Sequence, residues 1–69
     1  MMTNSVELEY AIKKSGMSKK QFAKKLGISL QTFYNKLYNR VEFKASEILK
    51  ACELLKLNGK EKDKIFFAN

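Results

Sequence analysis

Residues 17–38 carry two helix starts and one tight stop within 22 positions, and few folds accommodate that arrangement. Ser18 and Gln21 stand at the capping-box spacing, in which each side chain satisfies an orphan N–H of the other residue. Met17 and Phe22 occupy the staple positions on either side of that cap. Ser29 starts a second helix, with Ile28 and Phe33 as its staple pair. Between them Gly27 follows Leu26, where a residue in the left-handed conformation ends a helix without a Cβ penalty. The segment therefore reads as helix, turn, helix.

With three more helices outside this segment, the chain reads as five. The first runs from about Ser5 to Ser15, with Asn4 and Glu7 at capping-box spacing, Leu8 and Ile12 facing a core, and Gly16 as the stop; residues 1–4 read as frayed. The second spans about Lys19 to Leu26 and turns Phe22, Ala23 and Leu26 inward. The third, Leu30 to about Tyr38, buries Phe33 and Leu37, which leaves Gln31, Asn35 and Tyr38 on the opposite stripe with Thr32 and Lys36 alongside. Asn39 can end it in the left-handed conformation, and Val41 and Phe43 in the following loop are expected to fold back on the core. A fourth helix covers about Ala45 to Leu55 with Ile48, Ala51, Cys52 and Leu55 on one face, and a fifth, capped by Asn58 with Glu61, covers about Lys60 to Phe67. The consecutive Ile65, Phe66 and Phe67 are about 100° apart on a helix and cannot all face one small core. Either they cap the core, or Phe66 and Phe67 leave an aromatic surface for a dimer contact.

These elements make a single all-α domain over residues 1–69, near the lower size limit for one core without disulfides or metal. A composition 45% apolar and 30% charged, with no proline and three glycines, suits a compact helical protein. One cysteine and no histidine give neither a disulfide nor a zinc framework, so no metal or cofactor is expected. Cys52 reads as a small buried hydrophobe. No apolar run reaches the roughly 18 residues of a membrane span and no signal-peptide core is present, which points to a cytoplasmic protein with no membrane partner.

The distribution of charge says more than its total of +7. Eight basic residues and no acidic one lie between Lys13 and Arg40, while all seven carboxylates fall outside that window. The acid-free window coincides with the two-helix unit, the footprint of an anionic partner. An enzyme is disfavoured: there is no histidine, no clustered carboxylates and no glycine-rich phosphate loop from which to assemble acid-base or nucleophile pairs.

The stretch Ser18-Lys19-Lys20-Gln21-Phe22-Ala23-Lys24-Lys25-Leu26-Gly27-Ile28-Ser29-Leu30-Gln31-Thr32-Phe33-Tyr34-Asn35-Lys36-Leu37 resembles the helix-turn-helix of the Cro and repressor class of bacterial and phage regulators, also called Xre-like. Ala23, Gly27, Ile28, Phe33 and Leu37 fill the family's structural slots, and the brevity and Phe66-Phe67 ending look similar to small Cro-like phage proteins. The resemblance implies a five-helix domain whose third helix enters the major groove of operator DNA while the second crosses the backbone. Carried over by position, Leu30, Gln31, Thr32 and Asn35 would read bases, and Ser18, Lys19, Lys20, Ser29, Lys36, Tyr38 and Arg40 would meet phosphates. Gln31 and Asn35 are amides able to bond both N6 and N7 of adenine; Leu30 either touches a thymine methyl or packs inward. Lys19 stands where the family commonly has glutamine, which suggests a simple phosphate clamp. Binding as a two-fold homodimer is also implied. The expected function is a sequence-specific DNA-binding regulator with no small-molecule ligand. The alternative is a protein-interaction module, an antirepressor or antitoxin, that binds another regulator.

Overall fold

A computed structural model describes residues 2–68 as five α-helices: α1 (Ser5–Lys14), α2 (Lys19–Leu26), α3 (Leu30–Leu37), α4 (Ala45–Leu55) and α5 (Gly59–Phe66). Four of the five helices start at a residue whose side chain is an acceptor, and α4, which follows Lys44, does not. Asn4, Ser18, Ser29 and Asn58 accept from the backbone N–H of the third residue on, and Ser18–Gln21 and Asn58–Glu61 are complete capping boxes. The ends of α1, α3 and α5 and the start of α5 differ by one residue from the sequence reading, the usual play at helix termini.

Gly27 adopts φ +82°, and the N–H of Ile28 reaches back to the Ala23 carbonyl at 3.1 Å, which closes α2 as a Schellman turn. Lys56 closes α4 in the same way at φ +54°, with Leu57 N–H on the Cys52 carbonyl. No glycine marks that stop, so the sequence pattern did not reveal its geometry.

The core gathers Leu8 and Ile12 from α1, Phe22, Ala23 and Leu26 from α2, Phe33 and Leu37 from α3, Ala51 from α4, and Ile65 and Phe66 from α5. Phe43 joins it from the loop, whereas Val41 stays 52% exposed; only one of the two loop residues folds back. Phe66 packs edge-on against Phe43, with ring centroids 5.3 Å apart.

The N-terminal segment is not frayed over its described part. Met2 and Ala68 exchange backbone hydrogen bonds, and Asn4 N–H donates to the Ile65 carbonyl at 2.7 Å. Asn39, left-handed at φ +66°, does more than end α3: its Oδ1 accepts from Thr3 N–H at 2.8 Å and its Nδ2 donates to the Thr3 carbonyl at 3.0 Å. Thr3 is only 8% exposed, so these two bonds satisfy backbone groups that are largely shielded from water.

Asn39→Ala is expected to lower stability by about 2–3 kcal/mol, combining two stranded backbone groups with a strained left-handed residue. Asn39→Gly should recover roughly 1 kcal/mol of that, since only the strain is relieved. Urea titrations of both variants check the order.

Candidate nucleic-acid interface

The outer side of α3 is built by what its inner side must bury. Phe33 and Leu37 have no exposed surface, and on a 3.6-residue period this turns Gln31, Asn35 and Tyr38 away from the core. Gln31 is exposed, and Thr32 and Asn35 are half-exposed. Leu30 takes the inward alternative, partly buried and packed against the core cluster.

These side chains are bonded to one another. Ser29 Oγ accepts from Thr32 N–H at 3.0 Å and donates to Thr32 Oγ1 at 2.9 Å. Gln31 Nε2 donates to Asn35 Oδ1 at 3.3 Å, and Arg40 Nη1 donates to the same oxygen at 3.4 Å. Ser18 Oγ accepts from Gln21 N–H at 3.1 Å as a cap. Tyr38 is 47% exposed and stacks on Tyr34, with ring planes 10° apart.

Two of the expected phosphate contacts are engaged elsewhere. Lys36 is a correction: it is only 5% exposed, and its Nζ lies 2.6 Å from Glu47 Oε1. Its place at i+3 from Phe33, beside Leu37, puts it on the inner edge of α3, where it cannot reach a ligand on the outer face. Glu47 also accepts from Lys44 N–H at 2.8 Å, so one carboxylate starts α4 and holds α3. Burial pushes the Glu47 carboxyl up, but the Lys36 hydrogen bond, the Lys44 N–H and the lysine charges together hold it below its usual value.

Lys19 remains on the surface but pairs with Glu9 of α1 at 2.6 Å. That hydrogen bond holds the ammonium above the ordinary lysine value against slight desolvation, and the Glu9 charge and the phenols of Tyr38 and Tyr34 act in the same direction. Glu9, Glu47 and Tyr34 were not among the expected site residues. Glu9 and Glu47 lie on other helices, and no local spacing links them to their lysines. Subtracting the two paired lysines from the eight basic residues of the acid-free window leaves six: Lys13, Lys14, Lys20, Lys24, Lys25 and Arg40, all exposed.

The C-terminal aromatics need a second correction. Phe66 is 3% exposed within the core and has no surface to offer a second copy. Phe67 is partly buried against the core with Lys62 Nζ 5.9 Å from its ring centroid. The end-cap alternative describes this segment. Cys52 is half-buried, and burial raises its thiol, partly offset by the charge of Lys62.

Among the described residues no three His, Cys, Asp or Glu side chains converge as a metal-ligand set, and no helix is long and apolar enough to cross a membrane. The surface offers charge and hydrogen bonds. A five-helix domain that exposes a linked row of polar side chains on one arm of a helix-turn-helix is the class that fold and surface define. Residues 7–69 match the family described as "Protein of unknown function (DUF739)", and the chain belongs to that family. Among curated proteins none matches the chain.

Glu47→Leu alone strands the Lys36 ammonium and should cost about 3–5 kcal/mol, while Lys36→Met combined with Glu47→Leu should recover most of that and remain short of the unmodified chain by about 0.5–1.5 kcal/mol for the lost acceptor on Lys44 N–H. Because the folded Glu47 carboxyl lies below the ordinary value of 4.5, its contribution is complete above that pH and is lost as pH falls through the folded value. Urea midpoints measured from pH 7 downward should therefore converge for the wild-type chain and Glu47→Gln on the acid side.

Proposed function

We propose that this protein is a sequence-specific double-stranded DNA-binding transcriptional regulator of the Cro/repressor type, which sets α3 in the major groove and works in the cytoplasm. One observation carries the reading: α3 holds Gln31, Thr32 and Asn35 within reach of solvent, inside an acid-free window from which six cations project without an ion-pair partner among the described residues. Amides on a helix suit base edges in the major groove, and exposed lysines suit phosphates. Lys20 and Ser18 at the start of α2, with Tyr38 at the end of α3, are the backbone contacts in this reading. Lys19 joins them once a phosphate displaces Glu9. For so small a domain, two copies on half-sites about one helical turn apart are the natural assembly.

The second reading, a module that binds another regulator, draws on α1. Val6 is 73% and Tyr10 62% exposed one turn apart, an apolar surface of the kind a protein partner covers. Electrophoretic mobility on random-sequence DNA separates the two. A DNA binder shifts the duplex at low salt and loses affinity steeply as salt rises, by about 0.9 in the log–log slope per phosphate met. No shift even at low salt favours the protein partner.

Asn35→Ala should cost roughly 1–3 kcal/mol on the preferred site and relax base preference, while Lys20→Ala weakens all sequences alike. Glu9→Gln releases the Lys19 ammonium and is expected to raise low-salt affinity and steepen the salt slope by about one unit. A filter-binding titration across salt concentrations checks both. If Asn35→Ala behaved like Lys20→Ala, α3 would not be reading bases.

A further inference from the structure

The row Gln31, Asn35, Arg40 has a direction built into it. Arg40 Nη1 and Gln31 Nε2 both point at Asn35 Oδ1, at 3.4 and 3.3 Å. A guanidinium carries donors only, so the Asn35 atom that faces it must be the oxygen. Gln31 then has to turn its NH2 to that same oxygen. Two donors fill both lone pairs of Oδ1. Unengaged among the described residues are the two N–H donors of Asn35 Nδ2, the Gln31 Oε1 and the second N–H of Gln31.

Without Arg40 the opposite polarity is equally open to the two amides, with Asn35 Nδ2 donating to Gln31 Oε1 and the Asn35 oxygen facing outward. One charged residue beyond the helix thus chooses between two hydrogen-bond faces. Its backbone is fixed for the task, since Arg40 N–H donates to the Asn35 carbonyl at 2.8 Å and Val41 N–H donates to it at 3.2 Å.

The geometry points to Arg40 as a positioning residue that determines base specificity: through Asn35 it sets the donor–acceptor polarity of the α3 surface. Gln31 keeps the oxygen and N–H pair that matches adenine. Asn35 acts as a donor alone, suited to a purine N7, a guanine O6 or a thymine O4 and unsuited to the cytosine N4 edge. The inference rests on the DNA reading above and departs from the sequence expectation that Arg40 is a plain phosphate clamp. A clamp changes affinity for every sequence equally. A polarity lock changes which base is preferred at one position.

Selection from a random duplex pool, run in parallel on the wild-type chain, Arg40→Ala and Lys20→Ala, separates these roles. Arg40→Ala should change the preference at one base pair per half-site by about fivefold or more relative to the other positions. Lys20→Ala should retain the wild-type preferences at lower affinity. If Arg40→Ala selects the wild-type sequence with uniformly weaker binding, the lock is overturned. In the DNA-free protein, Arg40→Ala should move the side-chain amide ¹H–¹⁵N resonances of both Gln31 and Asn35 while Lys20→Ala moves neither; unmoved amides also overturn it. A wild-type chain that enriches no sequence overturns the DNA reading itself, and the amide resonances still report whether Arg40 orients the pair.

Discussion

Phe33 has no exposed surface, and its ring meets Phe22 at 5.6 Å, Tyr34 at 6.1 Å and Phe43 at 6.4 Å between centroids. Phe43 meets Phe66 in turn, so a chain of rings runs from α2 through α3 and the following loop to α5. Edge-to-face and tilted pairs of this kind add to the stabilisation from apolar burial alone. An eight-residue helix is too short to persist by itself in water, so the position of α3 is a property of this packing. With Phe33 and Leu37 committed inward, the rotation of α3 about its axis is settled. The polar row on its outer side is therefore a consequence of the aromatic core.

How much was legible in the sequence follows from the range of each interaction. Caps and stops are made by residues three or four positions apart, and Ser18–Gln21, Asn58–Glu61 and the turn at Gly27 were all readable for that reason. The same holds for Phe33 and Leu37, whose spacing encodes the inner face. Asn39 shows the limit: its left-handed conformation was legible from residue type, but its two bonds to Thr3 join positions 36 residues apart. Lys36 shows it again. Its i+3 relation to Phe33 hinted at an inward place, yet lysine type suggested solvent, and the carboxylate that makes burial tolerable sits eleven residues away on α4. The run Ile65-Phe66-Phe67 was ambiguous because helical period alone does not say how far a core reaches; Phe43, brought in by an irregular loop, extends it far enough to take Phe66.

Long-range pairing also changes how the charge is to be understood. A count along the chain assigns eight cations to the helix-turn-helix window, but geometry divides them by role. Lys36 binds α3 to the start of α4 with its counter-ion almost shielded from water, and Lys19 ties α2 to α1 at the surface, where the pair is screened and weak. The remaining six are exposed. Net charge is thus a poor measure of what the surface presents to an anion. The part of it that can move to a ligand is the part that the fold does not use.

The two ends of α3 are held by unrelated means. At its start, Ser29 caps the backbone and Ile28 packs on the core. At its end, Ser5 Oγ donates to the Leu37 carbonyl at 2.5 Å, Lys36 reaches Glu47, and Asn39 grips Thr3. Such over-determination fixes where the outer side of α3 lies, which the proposed reading of bases by hydrogen-bond direction would require. Amide donors and acceptors lose their selectivity when the carrying backbone drifts by a fraction of an ångström or some tens of degrees. Gln31 and Asn35 on the outer side are linked through their side chains to each other and to Arg40, so the inner contacts set where the row lies and the outer ones set which way its amides face.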